Sequence, residues 1–292
     1  MTHHPTYITA AAPPTEAELA AITALLHQEA GIVIAPGKGS MVQSRLAKRL
    51  RALGLDSYKQ YISLVNSALG QEERRNMISA LTTNVTHFFR ENHHFDLLRE
   101  KVLPELITRA RAGGRVRIWS AGSSNGQEAY SIAMTIAGLA PDFDRLDIRI
   151  LATDIDPAMI NQGKAATYDT TTVDAVPAPL RSKYFEPHDG QVRVISALRE
   201  LVSFKELNLH HTWPMKGRFD IIFCRNVVIY FDLAAQQKLW GRFEQSLAPN
   251  GWIFVGHSER IPIEKDSRLT TAGITTYCLP KSGTAEGESA WH

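Results

Sequence analysis

A chain of 292 residues is long enough to bury a full α/β core and still carry a second small domain. Its 32 Lys and Arg against 30 Asp and Glu leave a net charge of +2, so no global field points to nucleic acid or to an acidic membrane. Two cysteines, Cys224 and Cys278, both in apolar runs, exclude a disulfide framework or a cysteine-rich zinc site and fit a reducing compartment. No stretch approaches the roughly 20 apolar residues of a membrane-spanning helix, and the polar start is not that of a signal peptide, so a cytoplasmic location is expected.

Residues 1–14 are rich in Thr, Pro and Ala and are predicted to be disordered. A helix is predicted from Thr15, which has Glu18 three residues on as in a capping box, with Leu19, Ile22, Leu25 and Leu26 on one face. The turn Ala35-Pro36-Gly37-Lys38-Gly39 leads to a second helix with Val42, Leu46, Leu50 and Leu53 as its apolar face. Two short helices, about 57–68 and 72–81, complete a small helical domain over 15–82. The second helix carries Arg45, Lys48 and Arg49, with Arg51 and Lys38 nearby. Charge runs of this kind are usually solvated faces; the sharper reading is a docking surface for an acidic protein partner.

Residues Leu81 to Glu91, LTTNVTHFFRE, form a linker in which two adjacent aromatics sit among Thr, Asn and Arg. Such a segment suits packing on a ligand while offering it polar groups; the plain alternative is a linker whose aromatics are core. Phe95, Leu97, Leu98 and Val102 then begin a helix. At its centre the chain reads RVRIWSAGSSNGQEAYSIAM, Arg115 to Met134. Val116, Ile118 and Trp119 make a buried strand, Ser120 to Gly126 a glycine turn, and Gln127 onward a helix with Tyr130, Ile132, Ala133 and Ile136 on its apolar face. A strand, a glycine turn and a helix N-terminus form the nucleotide-binding corner of a doubly wound α/β domain, where glycine permits positive φ and close approach of backbone N–H groups. The spacing is not G-x-G-x-x-G, so the corner alone is a weak signal.

The next strand, Asp147 to Asp154, ends in an acid. There Asp154 can accept both ribose hydroxyls of an adenosine. It lies 28 positions beyond Gly126 (154 − 126), longer than the roughly 20 typical of NAD folds, which favours an adenosine-like ligand over a dinucleotide.

Pro157 is predicted to open a helix to about Ala166. Residues 180–206 break the βα rhythm: Tyr184-Phe185-Glu186, the turn Pro187-His188-Asp189-Gly190, and Val192 to Ile195 predict a hairpin, with Val202-Ser203-Phe204 as a possible third strand of an inserted antiparallel sheet. Phe219 to Asn226 is the clearest buried strand. A helix over about 233–247, a strand Trp252–Val255, Gly256-His257-Ser258-Glu259 and a strand over 275–279 follow, and the tail 281–292 is predicted to be disordered.

Together, TTNVTHFFRE, RIWSAGSSNGQEAYSIAM, LATDIDP, FDIIFCRNVVIYFD and GHSE resemble, in order, the motifs of the chemotaxis receptor glutamate methyltransferases, the CheR family. The likeness runs from about residue 15 to 280. It departs at Ser123, Asn125, Gln127 and Ala129, which replace Cys, Thr, Glu and Pro of the usual glycine corner; Glu128, matching the acid used on the cofactor, is retained. The resemblance implies a Rossmann-like, doubly wound α/β methyltransferase domain over 83–280, with the small β-subdomain inserted at about 180–206 and the helical domain in front. It also implies methyl transfer from S-adenosylmethionine to the γ-carboxylate of receptor glutamates, with S-adenosylhomocysteine as the other product. Carried over by motif, Asn84, Thr86, Arg90, Glu128, Asp154, Asn208, Leu209, Asn226 and Val227 would line the cofactor, with Arg90 and Tyr230 nearest the transferred methyl. The expected partner is the cytoplasmic helices of chemoreceptors, docked on Arg45, Lys48 and Arg49; no nucleic acid or membrane insertion is expected. Members that grip a peptide at the receptor C-terminus resemble one another in a longer glycine-containing loop in the small sheet. Here only Pro187-His188-Asp189-Gly190 joins the strands, so no such tether is expected.

The residue inventory agrees with ester formation. A glutamate, with an ordinary pKa of about 4.3, is already anionic at neutral pH and needs no general base. Arg90 stays protonated and is suited to orientation rather than proton abstraction. His93-His94 and His210-His211 are adjacent pairs, and because neighbours point apart no metal site is expected. Two rivals remain at this stage. One is a methyltransferase for another substrate, although the strand end at Asn226 lacks the proline-aromatic sequence of base-amino methylation. The other is a cofactor-binding signalling adaptor without turnover.

Overall fold

A computed structural model of the chain describes residues 12–263 and 267–280. The segments 1–11 and 281–292, expected to be disordered, lie outside the described residues.

The chain divides into two compact units, the first reaching Thr83 and taking in Tyr230–Asp232. In that unit, helix α1 (Glu16–Ala30) starts at Thr15, whose hydroxyl accepts from the Glu18 N–H while the Glu18 carboxylate accepts from the Thr15 N–H. This reciprocal cap satisfies two N–H groups that the first helical turn leaves without partners. Helices α2 (Gly39–Leu53), α3 (Tyr58–Asn66) and α4 (Gln71–Leu81) follow. Val42, Leu46 and Leu50 are buried at helical spacing, whereas Leu53, assigned to the same face, is 38% exposed beside the C-terminal Gly54. An isolated bridge pairs Ile32 with Phe231, and Val33 N–H donates to the Tyr230 carbonyl at 2.8 Å.

The second unit begins with α5 (His93–Leu97), a π-helical stretch Leu98–Val102 and α6 (Leu103–Arg111), a more broken helix than the apolar pattern predicts. Then β1 (Val116–Ala121), α7 (Gln127–Leu139), β2 (Ile148–Asp154) and α8 (Pro157–Ala165) form the βαβα core. Next come β3 (Thr167–Tyr168), α9 (Ala178–Tyr184), β4 (Phe185–His188), β5 (Gln191–Val194), α10 (Ser196–Leu201) and β6 (Val202–Glu206). The unit closes with β7 (Phe219–Cys224), α11 (Leu233–Ser246), β8 (Leu247–Val255), β9 (Thr270–Gly273) and β10 (Thr276–Cys278).

A seven-stranded sheet has the order β6-β2-β1-β7-β8-β10-β9. Its first five strands are parallel and β10 is antiparallel to both neighbours. The order reverses between β1 and β7, the position at which open α/β sheets bind ligands beyond the carboxyl ends of their strands. Every residue of β7 is buried, as both faces of a parallel sheet require. Even Asp220 is buried there; it accepts from the Arg117 N–H and pairs with Arg109 at 2.6 Å.

The small sheet has the order β3-β5-β4. Its hairpin is the expected one, with Asp189 and Gly190 both at positive φ in the turn. Its third strand is not. Val202-Ser203-Phe204 lies in β6 and pairs in parallel with β2, and the third strand is Thr167–Tyr168 instead. The choice of partner for a short apolar run is a tertiary matter that periodicity does not encode.

Candidate functional site

The corner after β1 is built from backbone conformation. Gly122, Ser124 and Gly126 have φ of 80°, 49° and 90°. Gly122 and Ser123 donate to the Thr153 carbonyl, tying the turn to the end of β2. A Cβ at Gly122 would come within 2.3 Å of a Val227 methyl, so glycine is required for the β7 end to pack there. At Gly126 a Cβ would meet the Phe204 ring at 2.8 Å.

Asp154 stands beside this turn. One carboxylate oxygen accepts from Ser124 N–H at 2.8 Å, the other from Asp156 N–H at 2.9 Å. Burial pushes its carboxyl up to about 6 against those two N–H bonds, which favour the anion. Each oxygen keeps a lone pair for a ligand donor. Asn84 joins the same end of the sheet: its amide donates to Asp156 at 2.7 Å, and its carbonyl accepts from Ser124 Oγ at 3.0 Å. Asn208 follows β6, where its side-chain oxygen accepts from His210 N–H, and the Leu209 carbonyl accepts from Trp213 and Arg242.

Glu128, in the first turn of α7, is engaged from both sides. Ser120 Oγ donates to one oxygen at 2.7 Å and Arg225 to the other at 3.1 Å. Burial raises its carboxyl, opposed chiefly by the Arg225 charge. Arg225, whose side chain is 2% exposed, also lies 3.3 Å from Glu91 and donates to the Arg90 carbonyl. For Glu91, burial is outweighed by the His257 hydrogen bond and the Arg225 charge, which hold its carboxyl down at about 2. The Arg90 guanidinium itself donates to the Val85 carbonyl at 2.9 Å. Phe88 is core, packed edge-on to Tyr168 and Phe185, so the plain reading of that aromatic holds, while Asn84 reaches the β1 and β2 ends and Arg90 bonds within its own segment.

Among the residues singled out, Asn84, Asp154, Glu128, Asn226 and Val227 therefore share the carboxyl ends of β1, β2 and β7 in one unit. Tyr230 falls with the helical unit. Sequence reasoning missed Arg225: a charge directly after an all-buried strand is the signal that a buried acid must face it.

The reason for dismissing the histidines also fails. Successive helical residues point about 100° apart, not oppositely, and the His93 and His94 rings are 4.2 Å apart. With Glu91 they offer three ligand-type atoms within 4.8 Å of one another. The Glu91 carboxylate is shared there by His257 at 3.0 Å and Arg225, and burial drives His94 down to about 3, so it is neutral.

The basic helix is partly used internally. Arg45 donates to the Leu81 and Thr82 carbonyls at 3.0 and 2.6 Å, capping the end of α4. Arg49 forms a two-pronged pair with buried Glu73 at 3.0 and 2.6 Å. Lys48 is exposed.

A glycine corner at the β1 end, a buried acid at the β2 end and a seven-stranded sheet whose one antiparallel insertion is β10 define a Rossmann-like methyltransferase that uses S-adenosylmethionine. The cofactor fits the residues present: the corner leaves Ser123 Oγ and Gln127 Oε1 buried without a partner, and Asp154 offers acceptors to a ribose. The chain belongs to the CheR methyltransferase family, matching its all-alpha domain over residues 17–82 and its SAM binding domain over 84–278. It is 49% identical to a probable chemotaxis protein methyltransferase of Rhizobium etli, over 89% of this chain and 98% of that one. It is 40% identical to the chemotaxis protein methyltransferase of Escherichia coli, over 91% and 92%. To chemotaxis protein methyltransferase 2 of Pseudomonas aeruginosa it is 38% identical, over 86% and 89%. Among the described residues no helix is long and apolar enough to cross a membrane.

Proposed function

We propose that the protein methylates the γ-carboxylates of glutamates on the cytoplasmic helices of chemoreceptors, giving methyl esters. Asp154, a buried carboxylate set between Ser124 and Asp156 N–H groups at the ligand-binding end of the sheet, supports the cofactor half of this reading, and membership of the CheR family supports the acceptor half. Bound S-adenosylmethionine would supply a methyl already activated by its sulfonium charge, so that transfer to an anionic glutamate oxygen would form a C–O bond, release S-adenosylhomocysteine and need no general base.

The protein's task is then binding, alignment and exclusion of water. Asp154 holds the ribose, while Asn84 and Thr86 line the approach. Glu128, fixed by Ser120 and Arg225, would offer its carboxylate to the positively charged cofactor. Arg90, always cationic, orients the attacking carboxylate. Asn208, Leu209, Asn226 and Val227 complete the walls. Receptor docking uses α2, with Lys48 as its exposed charge and Arg45 and Arg49 presenting only the parts of their guanidinium groups left over from internal bonds.

Incubation with methyl-labelled S-adenosylmethionine and receptor-containing membranes tests the reading. Base-labile label on receptor protein is expected. Binding of S-adenosylhomocysteine without any label transfer would favour an adaptor, and label on another substrate class would reassign the enzyme.

A further inference from the structure

After β7 the chain turns sharply, with Asn226 at φ 58°, a conformation that disfavours a side chain. The turn aims four consecutive backbone N–H groups, those of residues 226–229, at one point. That point is filled by the Glu259 carboxylate, only 4% exposed. Its Oε2 accepts from Asn226 at 2.8 Å and from Gly256 at 2.6 Å. Its Oε1 accepts from Val227, Val228 and Ile229 at 2.9, 2.7 and 3.3 Å. Five donors on one carboxylate form an anion-binding nest whose anion is supplied by the chain itself. Without it, several buried N–H groups would lose their partner, each at a cost comparable to a lost hydrogen bond.

The consequence reaches the ligand site through two contacts. Val227, held by this nest, fills the space that Gly122 leaves, since a Cβ there would lie 2.3 Å from its methyl. The Asn226 amide lies over Gly256, where an added Cβ would come within 2.6 Å. One carboxylate thus fixes both the amide of Asn226 and the apolar wall opposite the glycine corner.

We propose that Glu259 is a positioning residue for the cofactor: it sets Asn226 and Val227 in binding register without touching the ligand itself. The proposal rests on the reading of Asn226 and Val227 as cofactor contacts.

Glu259→Gln tests it with almost no change of shape, because one carboxylate oxygen becomes an NH₂ aimed at backbone donors. Calorimetry with S-adenosylhomocysteine is expected to show at least tenfold weaker binding, with the KM for S-adenosylmethionine raised similarly and kcat at saturating cofactor within about threefold of wild type. In ¹H–¹⁵N spectra the amide resonances of 226–229 are expected to move upfield. Asp220→Asn, at the other end of β7, is the control for lost stability alone; its cofactor affinity is expected to remain within twofold. Glu259→Asp, with both oxygens but one methylene less, is expected to fall between wild type and Gln, and it decides the matter if the Gln variant does not fold. Wild-type affinity in a folded Gln or Asp variant overturns the proposal. If Asn226→Ala and Val227→Ala weaken binding while Glu259→Gln does not, the positioning role alone is wrong. If none of them weakens it, the assignment of the two contacts is wrong.

Discussion

The Arg225 guanidinium lies 3.1 Å from the Glu128 carboxylate through one nitrogen and 3.3 Å from Glu91 through the other. It also donates to the Arg90 carbonyl. One buried cation thus ties the segment before α5 to the first turn of α7. Removing it leaves two acids without their countercharge in a desolvated site. Arg225→Met is expected to lower stability by roughly 3–5 kcal/mol, as loss of one partner from a buried pair does. Urea denaturation measures the loss. Adding Glu128→Gln should restore part of it, because the stranded charge is then absent; no recovery in the double variant would mean that the two do not act as a pair.

Asp154 carries opposite consequences for binding and for stability. Its folded pKa, about 6, exceeds the ordinary carboxylate value, so its ionisation opposes folding. The favourable contribution of the neutral acid is full below the unfolded pKa and is lost as pH rises through about 6. Cofactor affinity runs the other way, since ribose hydroxyls need the anion as acceptor. Affinity for S-adenosylhomocysteine is expected to fall as pH drops from 7 to 5. Asp154→Ala is expected to cost roughly 2–4 kcal/mol of binding at pH 7.5, as charged hydrogen bonds do. Titration calorimetry across that range checks both; affinity in the Ala variant equal to wild type means that the corner holds no ribose.

On α2 the internal bonds decide which charge can be reversed. Arg49→Glu would place like charges together at Glu73, which also accepts from Tyr61 at 2.9 Å, and is expected to unfold the helical unit rather than report on docking. Lys48 and Arg51 are exposed, and the Arg51 side chain donates to the Ala47 carbonyl within its own helix. Reversing both to Glu is expected to raise the KM for receptor about tenfold at low salt and less at high salt, with cofactor affinity unchanged. Receptor methylation equal to wild type would leave α2 an ordinary solvated face.

What the sequence disclosed was largely what is local. The Thr15–Glu18 cap, the glycine corner and the acid closing β2 are patterns within a few residues, and each is found where the pattern puts it. Long-range pairing was not legible. Arg225 meets Glu128 across 97 positions, and β6 leaves the small sheet for the edge of the large one. Glu259 stood in a noticed motif with Gly256 beside it, yet four of its five donors are 30 to 33 residues away, and only the fold converts that acid into a cap for Asn226 to Ile229. The internal bonds of Arg45 and Arg49 were hidden for a related reason: helical spacing places charges on a face but does not show that Glu73 of α4 and Thr82 just beyond it lie beside them.

The small sheet supplies the last prediction. Strands β4 and β5 pair from Phe185–Val194 to His188–Gln191, so the connection is only Asp189 and Gly190. Both adopt positive φ, the geometry of a two-residue hairpin turn, and such a turn has no spare residues with which to form a wall around a peptide. The edge strand β4 also contains Pro187, which lacks the N–H that an added strand would need. Gripping the receptor C-terminus by strand addition, and the rise in local substrate concentration that such a tether gives, are therefore not expected here. Methylation of one receptor with and without its last residues should proceed at rates within about twofold, and titration with the free C-terminal peptide should give no micromolar binding. Micromolar affinity together with a large loss of rate on truncation would show that this sheet holds a tether despite its short turn.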